Sequence, residues 1–462
     1  MKKILIVIFL LSLVASNSCG NSIDSNAPFP LNNQHNSSKE SLGASYNKPL
    51  PNIYVDKEIK LILKTQLPYD KFSLLKYPYE TSEEINKYTK ELTKGLKTDL
   101  EKSKAIFSAI IEEDKLGLHF DKEIWHKRKQ DAIQNKKDNR INRTAIEVFE
   151  QRKKTGDRFA TCFEATNLFL AMARAAGINA YLALIIRDYR NIYVHHVAGG
   201  ITVGNNLLLI DPDLKIFDVL HKSFILYDDF AAIALHLSLQ GGLYYEQNDL
   251  DSANKMYNLA IEIHPDCIYA YNLLGILQTD RVLFDDAIGN FNKVLKIKDD
   301  FIEAKYYLSL AFSKRKWYKK AIEEIKEYKA AIQEVRMEGD NVFHKQEMKR
   351  VDKKLAEFEL RMNERQKSIS KNIEQLKSAD TNDRKTAACN LGEENSRNSV
   401  PFLIENLNDQ IEDVRYFTAE SLRKITGQSF NFKSYSPKKN RDIAIKKWKN
   451  WWEENKAIFK EE

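Results

Sequence analysis

The feature that most restricts this chain is that its second half repeats itself at two periods. From Leu235 onward the apolar pattern is almost wholly helical. Gly241 and Gly275 lie 34 residues apart, as do Ala253, Ala287 and Ala321 in equal steps. Tyr257, Phe291 and Ile325 share another position of the same period, Ala260 is matched by Val294, and Pro265 closes the first unit. Further on the spacing changes to 31, pairing Ile373 with Ile404, Leu376 with Leu407, Arg384 with Arg415, Ala388 with Ala419 and Leu391 with Leu422. One such unit cannot bury its apolar face alone, so neighbouring units must stack. This half is therefore expected to be an all-α solenoid.

The 34-residue units resemble tetratricopeptide repeats, in which small residues let paired helices approach and an aromatic fills the gap between them. Three units are expected over 234–334. The 31-residue units, with Val400-Pro401-Phe402-Leu403-Ile404 followed by Asp413-Val414-Arg415 and Ala419, resemble short HEAT-type repeats, expected over 371–457 with a C-terminal cap helix. Residues 335–370 are dense in Lys, Arg and Glu at helical spacing and read as a connecting helix. Ile443, Trp448, Trp451 and Trp452 lie among lysines. Such a pattern can stack nucleic acid, but a cap over the last apolar repeat face is the better reading, and no nucleic-acid partner is expected.

A chain of 462 residues exceeds one core. Its 43% hydrophobic share allows packed domains, and its net charge of +7 is a mild excess that argues only weakly for an acidic partner. At the N-terminus, Lys2 and Lys3 precede an apolar run from Ile4 to Leu11 that continues through Leu13 and Val14. This run is short for a membrane span and fits a signal-peptide core, residues 1–18. Ala15 to Cys19 resembles a lipoprotein signal, with Ser16 where an aliphatic residue is usual. That resemblance implies lipidation of Cys19 and anchoring in a bacterial cell envelope, on its periplasmic or surface side; ordinary leader cleavage is the alternative. Residues 19–52 are rich in Asn, Ser and Pro and read as a tether. With Cys19 set aside, Cys162, Cys267 and Cys389 are an odd set spread over different segments, which argues against a disulfide framework.

The chemistry-bearing segment lies in 53–232, which mixes helical and strand patterns. Cys162 to Ala176 is a strong helix former, with Gly177 placed to end it. Thr161 and Glu164 make the T-x-x-E pattern of a capping box, so Cys162 occupies the first helical position. There the free N–H groups and the helix dipole are expected to stabilise a thiolate and lower the thiol pKa, and to stabilise an oxyanion on an attacked carbonyl. The plain alternative is a buried cysteine acting as a small hydrophobe.

A thiolate nucleophile needs a base and a group to orient it. Ile192 to Val203 is a β-branched run, followed by Gly204-Asn205-Asn206 and then Leu207 to Asp211, which is a hairpin signal. If Gly204-Asn205 is a two-residue turn, Val203 faces Asn206 and Asp211 faces Ala198. Asp211 is then diagonal to His196 on one sheet face, roughly 5.5 to 8 Å away between backbones. A turn at Asn205-Asn206 moves the partner of Asp211 to Gly200 and preserves that face, and only an odd-length loop would select His195. His196 is therefore the expected base and Asp211 its orienter, with His195 structural or a surface contact.

Cys162 heading a helix that reads L-F-L-A-x-A-R-A-A-G-I, a strand His196 and Asp211 in an I-D-P motif together resemble the transglutaminase-like superfamily. Leu100 to Ile110 looks like the helix that precedes its core. The resemblance covers about 80–217 and implies an α+β, papain-like catalytic domain with a Cys162-His196-Asp211 triad. Acyl transfer or hydrolysis of a protein or peptide amide through a thioester is the implied activity. Thr161 and Ala198 stand where the family often has Gly and an aromatic. No metal-ligand spacing, phosphate loop or nucleotide motif is evident, so neither metal nor cofactor is expected. The rival expectation is an inactive envelope scaffold whose repeats bind a protein partner.

Overall fold

The computed structural model describes residues 44–45, 49–54, 56–134, 140–191, 193–334 and 342–459. The expected signal peptide, the expected lipid site Cys19 and most of the expected tether lie outside them. Among the described residues no helix is long and apolar enough to cross a membrane. The chain forms two compact units, 1–304 with 331–339, and 305–330 with 340–462.

The first unit opens with helices α1 (Asp56–Gln66), α2 (Tyr69–Phe72), α3 (Glu83–Leu92), α4 (Asp99–Ile111), α5 (Lys122–Gln134) and α6 (Ala145–Thr155), and then α7 (Cys162–Ala175). Three of these start on the same device: Thr98, Thr144 and Thr161 each close a reciprocal capping box with the glutamate three residues on. Each box satisfies two N–H groups that a helix start otherwise leaves open. Gly177, at φ +81°, ends α7 in the left-handed region that only glycine enters freely.

An antiparallel sheet follows. It contains β1 (Ala44–Ser45), β2 (Ala180–Arg187), β3 (Tyr193–Val203), β4 (Asn206–Asp211), β5 (Ile216–Phe217) and β6 (Ser223–Tyr227), in the order β1-β4-β3-β2-β6 with β5 on β4. Strands β2 and β3 alternate across the two faces. Leu182, Leu184, Ile186, Val197 and Ile201 join the main core with Leu168, Phe169 and Met172 of α7. Tyr181, Ala183, Ile185, Val194 and Ala198 form a second apolar layer on the other face, with Val219 and Leu226. Gly199 lets α7 sit close, because a Cβ there would lie 2.7 Å from the ring of Phe169.

The boundary expected between 232 and 234 falls inside helix α8 (Asp229–Glu246). The main core continues without a break from Ile59 to Ala304, taking in Ile233, Leu237, Met256, Tyr269 and Phe301. The first two repeats, α8 with α9 (Leu250–Ile263) and α10 (Ile268–Asp280) with α11 (Phe284–Ile297), thus belong to the sheet-bearing unit. Their period has a steric cause. A Cβ on Gly241 would fall 2.5 Å from the Tyr257 ring, and one on Gly275 would fall 2.7 Å from the Phe291 ring.

The second unit holds most of the third repeat, α12 (Glu303–Lys314) and α13 (Tyr318–Glu334), then α14 (Val342–Gln375), α15 (Thr381–Glu393), α16 (Val400–Asn406), α17 (Glu412–Thr426) and α18 (Lys438–Phe459). Arg365 of α14 donates to the carbonyls of Lys316 and Glu394, so the expected connecting helix braces both arrays within this unit. The 31-residue period is a hydrogen-bond period. Arg384 donates to the carbonyls of Ser378 and Ala379, and Arg415 makes the same contacts to Asp409 and Gln410. Trp448 is buried against Leu391, Leu403 and Leu422, with Trp451 and Trp452 beside it, so α18 covers this core; Ile443 points to solvent instead.

Candidate functional site

Strand β4 pairs with β3 from Val203–Asn206 to Gly199–Ile210. This is the register of a two-residue Gly204-Asn205 turn, and Gly204 has φ +61°. Upstream of Gly199 the β4 edge of β3 is open, and the start of α7 reaches it. The Val197 amide donates to Cys162 Sγ, and the Val197 carbonyl accepts from Thr166 Oγ1 at 3.3 Å. Both groups of one strand residue point to the same side, so a single strand position orients the helix start and its sulfur together.

Around that sulfur the structure gathers two of the three expected side chains and a third that sequence reasoning missed. A ring nitrogen of His196, Cys162 Sγ and a carboxylate oxygen of Asp213 lie within 4.8 Å of one another. His196 Nε2 is 2.5 Å from Asp211 Oδ2. A carboxylate accepts only, so this contact keeps a proton on Nε2 and makes Nδ1 the nitrogen that exchanges a proton with the thiol. Asp211 also accepts from the Leu214 amide at 3.0 Å, and His221 Nε2 lies 3.7 Å from the same carboxylate. His221 carries no local motif; it reaches Asp211 from the loop before β6.

Cys162, His196 and Asp211 are almost fully withdrawn from water, at 3%, 3% and 0% exposure. This burial corrects one expectation. It pushes the Cys162 thiol above its ordinary value, outweighing His196 and the Val197 amide, which act downward. A helix start offers partial charges, whereas full desolvation acts on the whole charge of a thiolate. Burial also opposes the charged form of His196, but Asp211 and then Cys162 overcome it and hold the imidazole well above its usual range. Asp211 is itself held well below the carboxylate range: burial pushes it up, and His196 outweighs that. Asp213 is pushed up to about 6, first by burial and then by Asp211, while His196 acts downward.

His195 faces the other side of β3. Its Nδ1 is 2.7 Å from the Tyr269 hydroxyl of α10, its Nε2 is 3.3 Å from Glu303, and Phe301 packs edge-on against its ring. It is a structural tie between the sheet and the repeat helices, which is why those helices share the core.

The loop before Cys162 is clamped by a residue that belongs to no motif. Arg143, 2% exposed, meets both oxygens of Glu164, which is wholly buried. It also donates to the Phe159 carbonyl at 2.6 Å and to Asp157 at 3.1 Å. Glu164 therefore both caps α7 and neutralises Arg143. Nothing in the spacing of Arg143 and Glu164 announces the pair.

No protein-family model matches the chain, and no curated protein matches it. Among solved structures, it is similar to the myosin chaperone UNC-45 from C. elegans, in complex with a Hsp90 peptide. The TM-score is 0.32 at 18% identity, over 42% of this chain and 23% of that one. The chain thus spans about a quarter of that protein's length.

Proposed function

We propose that the chain is a transglutaminase-like cysteine enzyme that forms a thioester with a protein or peptide amide. The observation carrying this reading is the ordered set Cys162, His196 and Asp211. In it a capped helix start presents sulfur to an imidazole whose far nitrogen is 2.5 Å from a buried carboxylate.

The Cys162 thiol gives its proton to His196 Nδ1 as sulfur attacks the amide carbonyl. His196 then protonates the leaving amine, and the acyl group stays on sulfur. Asp211 keeps the proton on Nε2 and stabilises the imidazolium that forms. Water or an amine then takes the acyl group, with His196 accepting its proton. The repeats bind the protein partner that carries the substrate segment. Lys2 to Cys19 support export and lipid anchoring in a bacterial envelope, checked by loss of fatty-acid labelling in Cys19→Ala.

A second reading rests on the burial of Cys162 and its raised pKa, which suit an inactive scaffold whose repeats do the binding. Iodoacetamide separates the two. An enzyme labels at Cys162 rapidly near neutral pH and at least tenfold more slowly after His196→Ala. It also traps thioester adducts from an envelope lysate that vanish in Cys162→Ala. Slow labelling, equal in both proteins, refutes the catalytic reading.

A further inference from the structure

Two buried polar atoms of the site have no partner besides the Cys162 thiol. His196 Nδ1 and Asp213 Oδ1 are shut off from solvent, and apart from that thiol no hydrogen-bond partner faces them. Buried polar groups are seldom left unsatisfied, because such an atom bears the loss of its water with nothing in return. Here both belong to residues whose ligating atoms converge on the Cys162 sulfur within 4.8 Å. A thiol proton can satisfy only one of them. A cation that takes sulfur, nitrogen and oxygen at once satisfies all three.

The surroundings point the same way. His196 donates its other ring proton to Asp211, the arrangement that fixes the tautomer and orientation of a metal-binding imidazole. Asp211 is braced in turn by the Leu214 amide. One sulfur, one nitrogen and one carboxylate oxygen suit zinc, whereas magnesium and calcium take oxygen sets. At zinc bond lengths of about 2.0 to 2.3 Å, tetrahedral ligand atoms stand roughly 3.4 to 3.6 Å apart. A contraction of at most about 1.4 Å from the observed limit is within reach of side-chain rotation.

We propose that Cys162, His196 and Asp213 form a reversible binding site for a zinc-class divalent cation, with the fourth position left to water. On binding, the thiol proton leaves to solvent, the thiolate and Nδ1 donate lone pairs to the ion, and no covalent bond of the protein breaks. The occupied site has no free sulfur, so the ion silences the thiol. The site requires only the three ligands and stands whether or not the chain performs acyl transfer.

The test uses the full chain after treatment with a chelator, titrated with cobalt(II) and then zinc(II). One equivalent of cobalt should produce thiolate-to-cobalt charge-transfer absorption in the near ultraviolet, displaced by one equivalent of zinc. Cys162→Ser should abolish the band, Asp213→Asn should weaken cobalt binding at least tenfold, and Cys389→Ser should leave it intact. Zinc should also protect Cys162 from iodoacetamide. A folded wild-type protein without the band, or a band that survives Cys162→Ser as an adventitious surface site, overturns the proposal. Fast Cys162 alkylation and trapped thioesters without a cobalt band would sink the metal site and leave the catalytic reading standing; a cobalt band without either would do the reverse.

Discussion

Removing the Arg143 guanidinium should strike the first unit harder than any loss of surface charge. Glu164 is wholly buried, and two nitrogens of Arg143 lie 3.1 and 3.0 Å from its two oxygens. In Arg143→Met the carboxylate keeps only the Thr161 and Arg143 backbone amides, and the Phe159 carbonyl loses its donor. Breaking a buried pair by removing one partner costs about 3 to 5 kcal/mol, because the other charge stays buried. With a urea slope of ~3 kcal/mol/M, the midpoint falls by about 1 to 1.7 M. The assay is urea unfolding followed by alkylation of the buried thiol Cys267, quantified on its own peptide, so that only this unit reports. Glu164→Gln alone should cost a similar amount. The double variant Arg143→Met with Glu164→Gln should cost far less than the two single losses together, since neither charge is then stranded. Additive losses, or single losses below about 1 kcal/mol, would refute the claim that this pair acts as one buried unit.

The repeat glycines offer a sharper steric test. Gly241→Ala drives a Cβ to 2.5 Å from the Tyr257 ring and should cost about 1 to 3 kcal/mol, read as a lower thermal midpoint. Gly289→Ala, a helical position with nothing within 4 Å of the added Cβ, should stabilise by about 0.5 to 1 kcal/mol. His236 is buried against the Phe163 ring, and burial first, then Lys76, lowers its pKa to about 4. Its native pKa lies below the unfolded value of about 6.5, so the unfolded chain binds the proton first. Stability is therefore full above about pH 6.5 and should fall by about 3 kcal/mol as pH drops toward 4, a slope that His236→Phe should flatten in acid titrations of the urea midpoint. Trp448→Ala should remove about 3 to 5 kcal/mol from the second unit, measured as tryptophan fluorescence loss in urea. A change below about 1 kcal/mol would mean that α18 is not the cover of that core.

Much of this protein was legible from residue spacing alone, because the devices involved are local or periodic. The capping box at Thr161 follows from contacts three residues apart, and the hairpin parity that pairs His196 with Asp211 follows from a two-residue turn. The two repeat periods survive into the structure as ring-on-glycine contacts and as arginine clamps on carbonyls. Tertiary structure decided the rest. The approach of Asp213 and His221, the tie from His195 to Tyr269 and Glu303, and the Arg143–Glu164 pair join segments that share no motif. So did the state of the thiol. A helix start promises a lowered pKa, but only the folded core determines how much water the sulfur loses, and here that loss outweighs the helix. Local sequence can set which residues face one another, while desolvation and long-range charge pairing depend on everything that packs around them.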